Sequence, residues 1–350
     1  MNEIIIGEKK IGINHPPFIV AEMSGNHNHS LEKALKIVEA AHEAGVHALK
    51  LQTYTADTIT IDSSGDIFKI SDPKSLWKGQ TLYGLYQQAY TPWEWHEPIF
   101  NRCRELGLIA FSTPFDETAV DFLEDLNVPA YKIASFENNH LPLIKKVAST
   151  GKPVLLSTGM ATISELDDAV STIFDSGCHD IVLLKCTSTY PAAPDDANLK
   201  TIPHLRELFN TEVGLSDHTL GIGVSLSSIA LGATVIEKHF TLSRSEKGVD
   251  SAFSMEPNEM KMIVEETYKA WQALGVVNYR VTEKEKSSTR FRRSIFAVKD
   301  IKEGEKFTVK NLRVIRPGDG LSPKHYENLL NKKAAHNIKR GTPMRLDFIG

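Results

Sequence analysis

The sequence predicts a (β/α)8 barrel over residues 1–280, a short polar linker at 281–290 and a small β-rich module at 291–350. Three observations carry that prediction. Eight short apolar runs each break into polar residues, most are separated by a segment of helical spacing, and the texture changes to short strands and turns beyond residue 280.

The first run is Phe18-Ile19-Val20-Ala21-Glu22, and it is followed by a helical pattern in Leu31, Ala34, Leu35, Val38 and Ala41. Ala48-Leu49-Lys50-Leu51-Gln52 is the second. A long connection from Tyr54 to about Tyr90 follows, carrying Trp77, Tyr83, Tyr86 and Tyr90. A structureless connection of that length is usually functional, and its aromatic residues are candidates for a pocket wall. Helix signals resume at Thr91-Pro92-Trp93-Glu94, where Thr91 is placed to cap, Pro92 suits the first helical position and Glu94 completes a capping box.

Ile109 to Thr113, Tyr131 to Ser135, Val154 to Gly159 and Ile181 to Thr187 continue the alternation, with a helix expected over 116–126. The last two runs end in Ser216-Asp217-His218 and Glu237-Lys238-His239. In this fold the active site lies at the carboxyl ends of the strands. Glu22, Lys50, Gln52, Thr113, Lys132, Ser135, Lys185, Ser216, His218 and His239 are therefore expected to converge on one cavity.

A lone strand histidine is more often a hydrogen-bonded core residue than a ligand, but two on successive strand ends point to a metal. Neutral imidazoles with carboxylates suit Mn2+, Fe2+, Co2+ or Zn2+ and leave positions for water and a substrate oxygen. Asp217 and Glu237 are candidates to orient them. Lys50, Lys132 and Lys185, with the hydroxyls of Thr113, Ser135, Ser157, Ser188 and Ser216, suit a phosphate and a carboxylate. Glu22 is a candidate base or water anchor.

Composition excludes other classes. With 40 basic and 44 acidic residues, net −4, the chain offers neither a nucleic-acid nor an anionic-membrane surface. No stretch reads as a signal peptide or membrane span, so a soluble cytoplasmic protein is expected. Cys103, Cys178 and Cys186 show no CxxC spacing, and Cys186 reads as packing within a strand. A weak repeat, Asp300-Ile301-Lys302-Glu303-Gly304 and Asn337-Ile338-Lys339-Arg340-Gly341, marks the terminal module.

Nearly the whole chain resembles the sialic acid synthases, which condense phosphoenolpyruvate with an N-acetylated aminosugar. The residues that carry the likeness are Ala21-Glu22 with Asn26-His27, Leu49-Lys50-Leu51-Gln52, Phe111-Ser112-Thr113-Pro114-Phe115 and Lys132-Ile133-Ala134-Ser135. Ser157-Thr158-Gly159-Met160, Gly214-Leu215-Ser216-Asp217-His218 and Glu237-Lys238-His239-Phe240 complete it in order and spacing. The resemblance implies that His218 and His239 hold a divalent ion (Mn2+, Mg2+ or Co2+), and that Glu22 positions water or moves a proton. It assigns Lys50, Thr113, Lys132, Ser135, Ser188 and Ser216 to phosphoenolpyruvate, and Gln52, Tyr190, Asp250 and Arg316 to the sugar. Ser188 stands where neuraminate synthases usually have Asn.

The resemblance also identifies the tail as an antifreeze-like (SAF) domain that swaps across a homodimer and brings Arg316 over the partner's site. Ser24-Gly25-Asn26-His27-Asn28, Thr81 to Trp95 and Val249 to Ser254 are most similar to the branch of the family that makes pseudaminic acid. Branches that make N-acetylneuraminate or legionaminate are alternatives. A Schiff-base aldolase with Lys132 or Lys185 as nucleophile is the alternative of another class, and a non-catalytic sugar-binding protein is a third.

Overall fold

Apolar residues on both faces of a strand require cover on both faces, which parallel strands obtain by closing around their own side chains inside a ring of helices. The first run, Phe18–Glu22, is buried at all five positions. In the computed structural model, which describes residues 3–73 and 75–350, eight such strands form a closed parallel barrel. They are β1 (Phe18–Glu22), β2 (Ala48–Thr53), β3 (Ile109–Pro114) and β4 (Tyr131–Ile133), then β5 (Val154–Ser157), β6 (Ile181–Cys186), β7 (Glu212–Ser216) and β8 (Val235–His239). β8 pairs with β1 and closes the ring. Every expected run is a barrel strand.

The helix after β1, α1 (Leu31–Glu43), begins where the Ser30 side chain accepts the Lys33 N–H, and it buries Ala34, Ile37, Val38 and Ala41. That stripe is rotated slightly from the expected one: Ile37 is buried, whereas Leu31 and Leu35 only pack at the edge. An antiparallel hairpin, Ile4–Ile6 with Lys9–Ile11, lies at the amino end of the barrel. Gly7 there stands against Ile109 and Gly12 against Glu212, the first residues of β3 and β7.

The connection after β2 is not structureless. It holds a helical turn at Ala56–Ile59, a 3-10 turn at Asp66–Phe68 and a helix at Leu82–Ala89, whose first turn is capped by Thr81 accepting the Gly84 N–H. The expected cap at Thr91 does not form. Pro92 precedes a 3-10 turn (Trp93–Trp95) with no side-chain cap, and the Thr91 hydroxyl pairs with His27 Nε2 at 3.0 Å. A buried imidazole with one nearby hydroxyl competes for that side chain and wins it.

The chain divides into two compact units, Met1–Gly275 and Val276–Gly350. Residues 283–291 form 3-10 turns that Thr282 caps. In the second unit, strands Ser294–Ala297 and Leu312–Ile315 pair antiparallel. The two repeats meet each other: Ile301 and Ile338 exchange backbone hydrogen bonds of 2.8 Å in each direction. Asn337 accepts the Glu303 N–H, and Asp300 accepts the Arg340 N–H. Ile295, Phe307, Leu312, Leu329 and Met344 form a core under them.

Three histidines in the barrel unit are held neutral by burial. His47 accepts the Ile19 N–H at Nδ1 (2.9 Å), and its pKa is lowered to about 4. Burial does the same to His27 and His96. The unfolded chain therefore takes up protons from about pH 6.5 downward while the folded chain resists until about pH 4. Stability contributed by the neutral rings is complete above pH 6.5 and is lost as pH falls through that window, on the order of several kcal/mol in sum. Thermal unfolding followed across pH 7.5 to 4 checks this, and a flat midpoint contradicts it.

Candidate active site

Register decides which side chains meet. In parallel pairing Glu22 lies beside Lys50 on one side and His239 on the other, Gln52 beside Thr113, and Ser216 beside both Cys186 and Glu237. Period-two alternation turns these residues into the barrel at its carboxyl end.

The result is a buried cluster of four charges. Lys50 Nζ is ion-paired with Glu22, donates to Thr113 Oγ1 at 3.0 Å and lies 3.7 Å from Glu237 Oε1. Lys132 Nζ donates to Glu237 Oε1 at 3.1 Å. Gln52 Nε2 donates to Glu22 Oε1 at 2.9 Å. Burial works against the Glu237 carboxylate, yet Lys132 and Lys50 outweigh it and hold its pKa below the ordinary value. Glu22 responds in the opposite sense: burial raises its pKa, Lys50 compensates only in part, and Glu237 adds repulsion. Lys50 keeps its charge, because Glu22 and Glu237 overcome burial and raise its pKa. Glu22 is thus the member most able to take a proton.

The two histidine rings stand with centroids 5.4 Å apart. His218 Nδ1 lies 3.0 Å from the Thr187 carbonyl, so that nitrogen carries a proton and Nε2 faces away from that bond. Burial works against a charge on this ring, but Cys186, the Thr187 carbonyl and Glu237 outweigh it and raise the pKa. His239 is held neutral by burial, reinforced by His218, Lys50 and Lys132, and its buried Nδ1 has no hydrogen-bond partner. Asp250 Oδ2 is 3.9 Å from that nitrogen and accepts the Ser24 hydroxyl. Among the described residues no group of three or more His, Cys, Asp or Glu side chains is gathered around a metal position.

Hydroxyls line the next sector. Ser135 accepts the Gly159 N–H at 3.2 Å. A Cβ on Gly159 would collide with the side chains of both Ser135 and Ser188, so the bare backbone amide sits between two hydroxyls. Ser157 Oγ and Glu237 Oε2 are buried without hydrogen-bond partners. Buried polar atoms left unpaired at one strand end call for a polar ligand. Tyr190 packs its ring 4.5 Å from His218 and 5.1 Å from Phe253, whose own ring is 4.9 Å from His239.

The barrel thus brings together Glu22, Lys50, Gln52, Thr113, Lys132, Ser135, Ser188, Tyr190, Ser216, His218, His239 and Asp250. Arg316 lies in the second unit, exposed, just after the Leu312–Ile315 strand. Three expectations need correction, the first being Glu237, which pairs with Lys132 and Lys50 instead of orienting a histidine. Lys132, Leu155 and Val182 share a face through the register, so Lys185 has the opposite parity; its Nζ donates to the Cys186 carbonyl and to Thr187 Oγ1. Asp217 does not orient a histidine: it binds Lys238 Nζ at 2.9 Å and accepts from Ser225 and Thr219.

Sequence reasoning missed Glu137, two residues beyond Ser135, whose pKa burial raises to about 7 with only partial opposition from Lys132. It also read Cys186 as packing alone. Cys186 Sγ lies 3.8 Å from both Ser188 Oγ and His218 Nδ1, and the sequence held no signal of this, because the strand is apolar on both faces.

Removing one member of this cluster leaves its partner charged and buried. Lys132→Met should lower the unfolding free energy by about 3–5 kcal/mol. Adding Glu237→Gln to that variant should recover most of the loss. Denaturant unfolding of the single and double variants measures both, and a well-tolerated single change contradicts the coupling.

The NeuB family model matches residues 37–279, and a SAF domain model matches residues 292–349. A protein of Helicobacter pylori described as pseudaminic acid synthase is 46% identical over 335 residues, covering 95% of this chain and 98% of its own length. One of Campylobacter jejuni with the same description is 45% identical over 328 residues, covering 94% and 95%. The solved structure of an N-acetylneuraminic acid synthetase from Leptospira borgpetersenii matches with a TM-score of 0.72 and 32% identity, covering 82% of this chain and 95% of that one. The chain belongs to the NeuB family, the sialic acid synthases that its motifs resemble, and carries a SAF domain at its carboxyl end.

Proposed function

We propose that the protein condenses phosphoenolpyruvate with 2,4-diacetamido-2,4,6-trideoxy-L-altrose and water to give pseudaminic acid and phosphate. The observation that carries this reading is 46% identity, spread over 95% of the chain, to a pseudaminic acid synthase. The buried cluster at the carboxyl end of the barrel supplies groups suited to that chemistry.

Lys50, Lys132, Thr113, Ser135, Ser188 and Ser216 hold the carboxylate and phosphate of phosphoenolpyruvate in this reading, with the Gly159 N–H beside the two serines. Gln52, Tyr190 and Asp250 hold the sugar. The donor set fits a divalent ion: His239 has a neutral ring with an unpartnered buried nitrogen, and Nε2 of His218 faces away from the ring's bond to the Thr187 carbonyl. Bound there, Mn2+, Mg2+ or Co2+ supplies polarisation of the sugar's aldehyde oxygen. C3 of phosphoenolpyruvate forms the new bond to the aldehyde carbon, water adds at C2, and the C2–O bond to phosphate breaks. Glu22, with its raised pKa, is suited to hold a proton for the alkoxide or to orient the water. Glu137, poised near neutrality, is suited to receive the proton that the water loses.

A Schiff-base mechanism fits this geometry less well. Lys132 is bound to a carboxylate, Lys50 is held charged, and Lys185 lies on the other face of its strand. The reading includes a homodimer in which residues 291–350 of one chain, with Arg316, cover the partner's barrel 1–280. It also includes a cytoplasmic location, where phosphoenolpyruvate is made. Among the described residues no helix is long and apolar enough to cross a membrane.

Phosphate release from phosphoenolpyruvate, assayed against a panel of aminosugars, tests the reading. The diacetamido trideoxy sugar should be preferred and N-acetylmannosamine should be poor; faster turnover of N-acetylmannosamine overturns the assignment to this branch. His218→Ala or His239→Ala should abolish turnover and, in calorimetric titration of the metal-stripped protein, weaken Mn2+ binding at least tenfold. Undiminished Mn2+ binding by both variants removes the histidines from the metal site.

A further inference from the structure

The connection between β2 and β3 meets the site at several points, Ala89 against Gly25 and Leu85 beside Val249 among them, and one of its side chains joins two segments of the site. Trp77 donates its indole N–H to the Val249 carbonyl at 3.1 Å, across 172 residues of sequence. Its ring lies 6.0 Å from that of Tyr190. Val249 adjoins Asp250, and Tyr190 stacks toward His218, so one indole meets both segments assigned above to the sugar. A cavity of about 330 Å3, lined by Trp77, Gln80, Leu85, Gln88, Val249 and Ala252, lies where the connection meets the 248–254 segment. The indole is therefore not locked into a packed core. Its hydrogen bond and its contact with Tyr190 are what fix its place.

We propose that Trp77 is a positioning residue for the aminosugar: it holds the 248–254 loop and Tyr190 in register with the histidines, so that this connection sets sugar affinity and leaves phosphoenolpyruvate binding alone. This rests on the reading of Tyr190 and Asp250 as sugar ligands. Of the groups assigned to phosphoenolpyruvate, Ser188 alone shares a segment with a Trp77 contact, two residues before Tyr190; Lys50, Thr113, Lys132 and Ser216 lie on barrel strands and Ser135 just beyond one, and none of these is bonded to Trp77. A neutral hydrogen bond is worth about 0.5–1.5 kcal/mol net, equivalent to a change of roughly two- to twelvefold in affinity.

Trp77→Phe keeps a ring and deletes the N–H; Trp77→Ala removes both. The phenylalanine variant should raise KM for the aminosugar roughly two- to twelvefold, and the alanine variant should raise it further. In Trp77→Phe, KM for phosphoenolpyruvate and kcat should stay within about twofold of the parent. Backbone amide exchange across 248–254 should accelerate in both. Tyr83→Phe, in the same connection but bonded among the described residues to Asp57 and Gln87, should change neither readout. An unchanged sugar KM, an equal rise in both KM values, or unchanged exchange at 248–254 overturns the proposal. Were no aminosugar to release phosphate with the parent protein, the functional reading would fall, and the exchange measurement would still decide whether Trp77 positions the loop.

Discussion

The interlocked charges of Glu22, Lys50, Glu237 and Lys132 are the constraint around which the rest of the site is arranged. Two carboxylates and two ammonium groups, each almost wholly buried, are tolerable in a barrel core only because each has an opposite charge within reach. The cluster is neutral as a set, so it offers an incoming anion no net attraction while all four members are charged. A proton on Glu22 changes that balance toward positive. Burial and the Glu237 charge already push Glu22 in that direction, so the same field that compensates the lysines also prepares them to release a carboxylate in favour of a substrate.

Strand register is what places those charges. Glu22 and Lys50 come from successive strands and His239 from the last, and the pairing of β8 with β1 and of β1 with β2 leaves no freedom about which residues adjoin. A shift of one position would turn Lys50 outward and Leu49 inward. Lys132 and Lys185 show the rule at work: each is the next-to-last residue of its strand, both precede a serine or threonine within three residues, and only the parity of the strand separates the one in the cavity from the one outside it.

That comparison also marks how much was legible in the chain. The eight apolar runs, the strand-end histidines and the convergence of Glu22 and Lys50 on one cavity could be read directly, because apolar runs and strand ends are local properties. The exclusion of Lys185 and the pairing of Asp217 with Lys238 could not, since an apolar run buried on both faces gives no alternation from which to read parity. The role of Glu237 was similarly hidden. It reads as a helper of the adjacent histidine, whereas its partners Lys132 and Lys50 are more than a hundred residues away. The helix at Leu82–Ala89 was missed because the connection's length suggested a loop. The Thr91 cap was misread because His27, far off in sequence, claims the hydroxyl.

In the proposed reading, chemistry and selectivity fall to different parts of the chain for a physical reason. The charged cluster must keep its distances to within a fraction of an ångström, and barrel strands, hydrogen-bonded on both sides, do so. Tyr190, Asp250 and Trp77 lie beyond strand ends, on segments held by side-chain contacts such as the Trp77 indole to the Val249 carbonyl, the Ser24 hydroxyl to Asp250 and Asn26 to Ser251 and Ser254, rather than by a strand ladder. Loops of that kind can change residue by residue without disturbing the cluster beneath. A barrel with one fixed set of charges can thereby serve different sugars, and the sequence that distinguishes them is to be sought in 54–90 and 248–254 rather than in the strands.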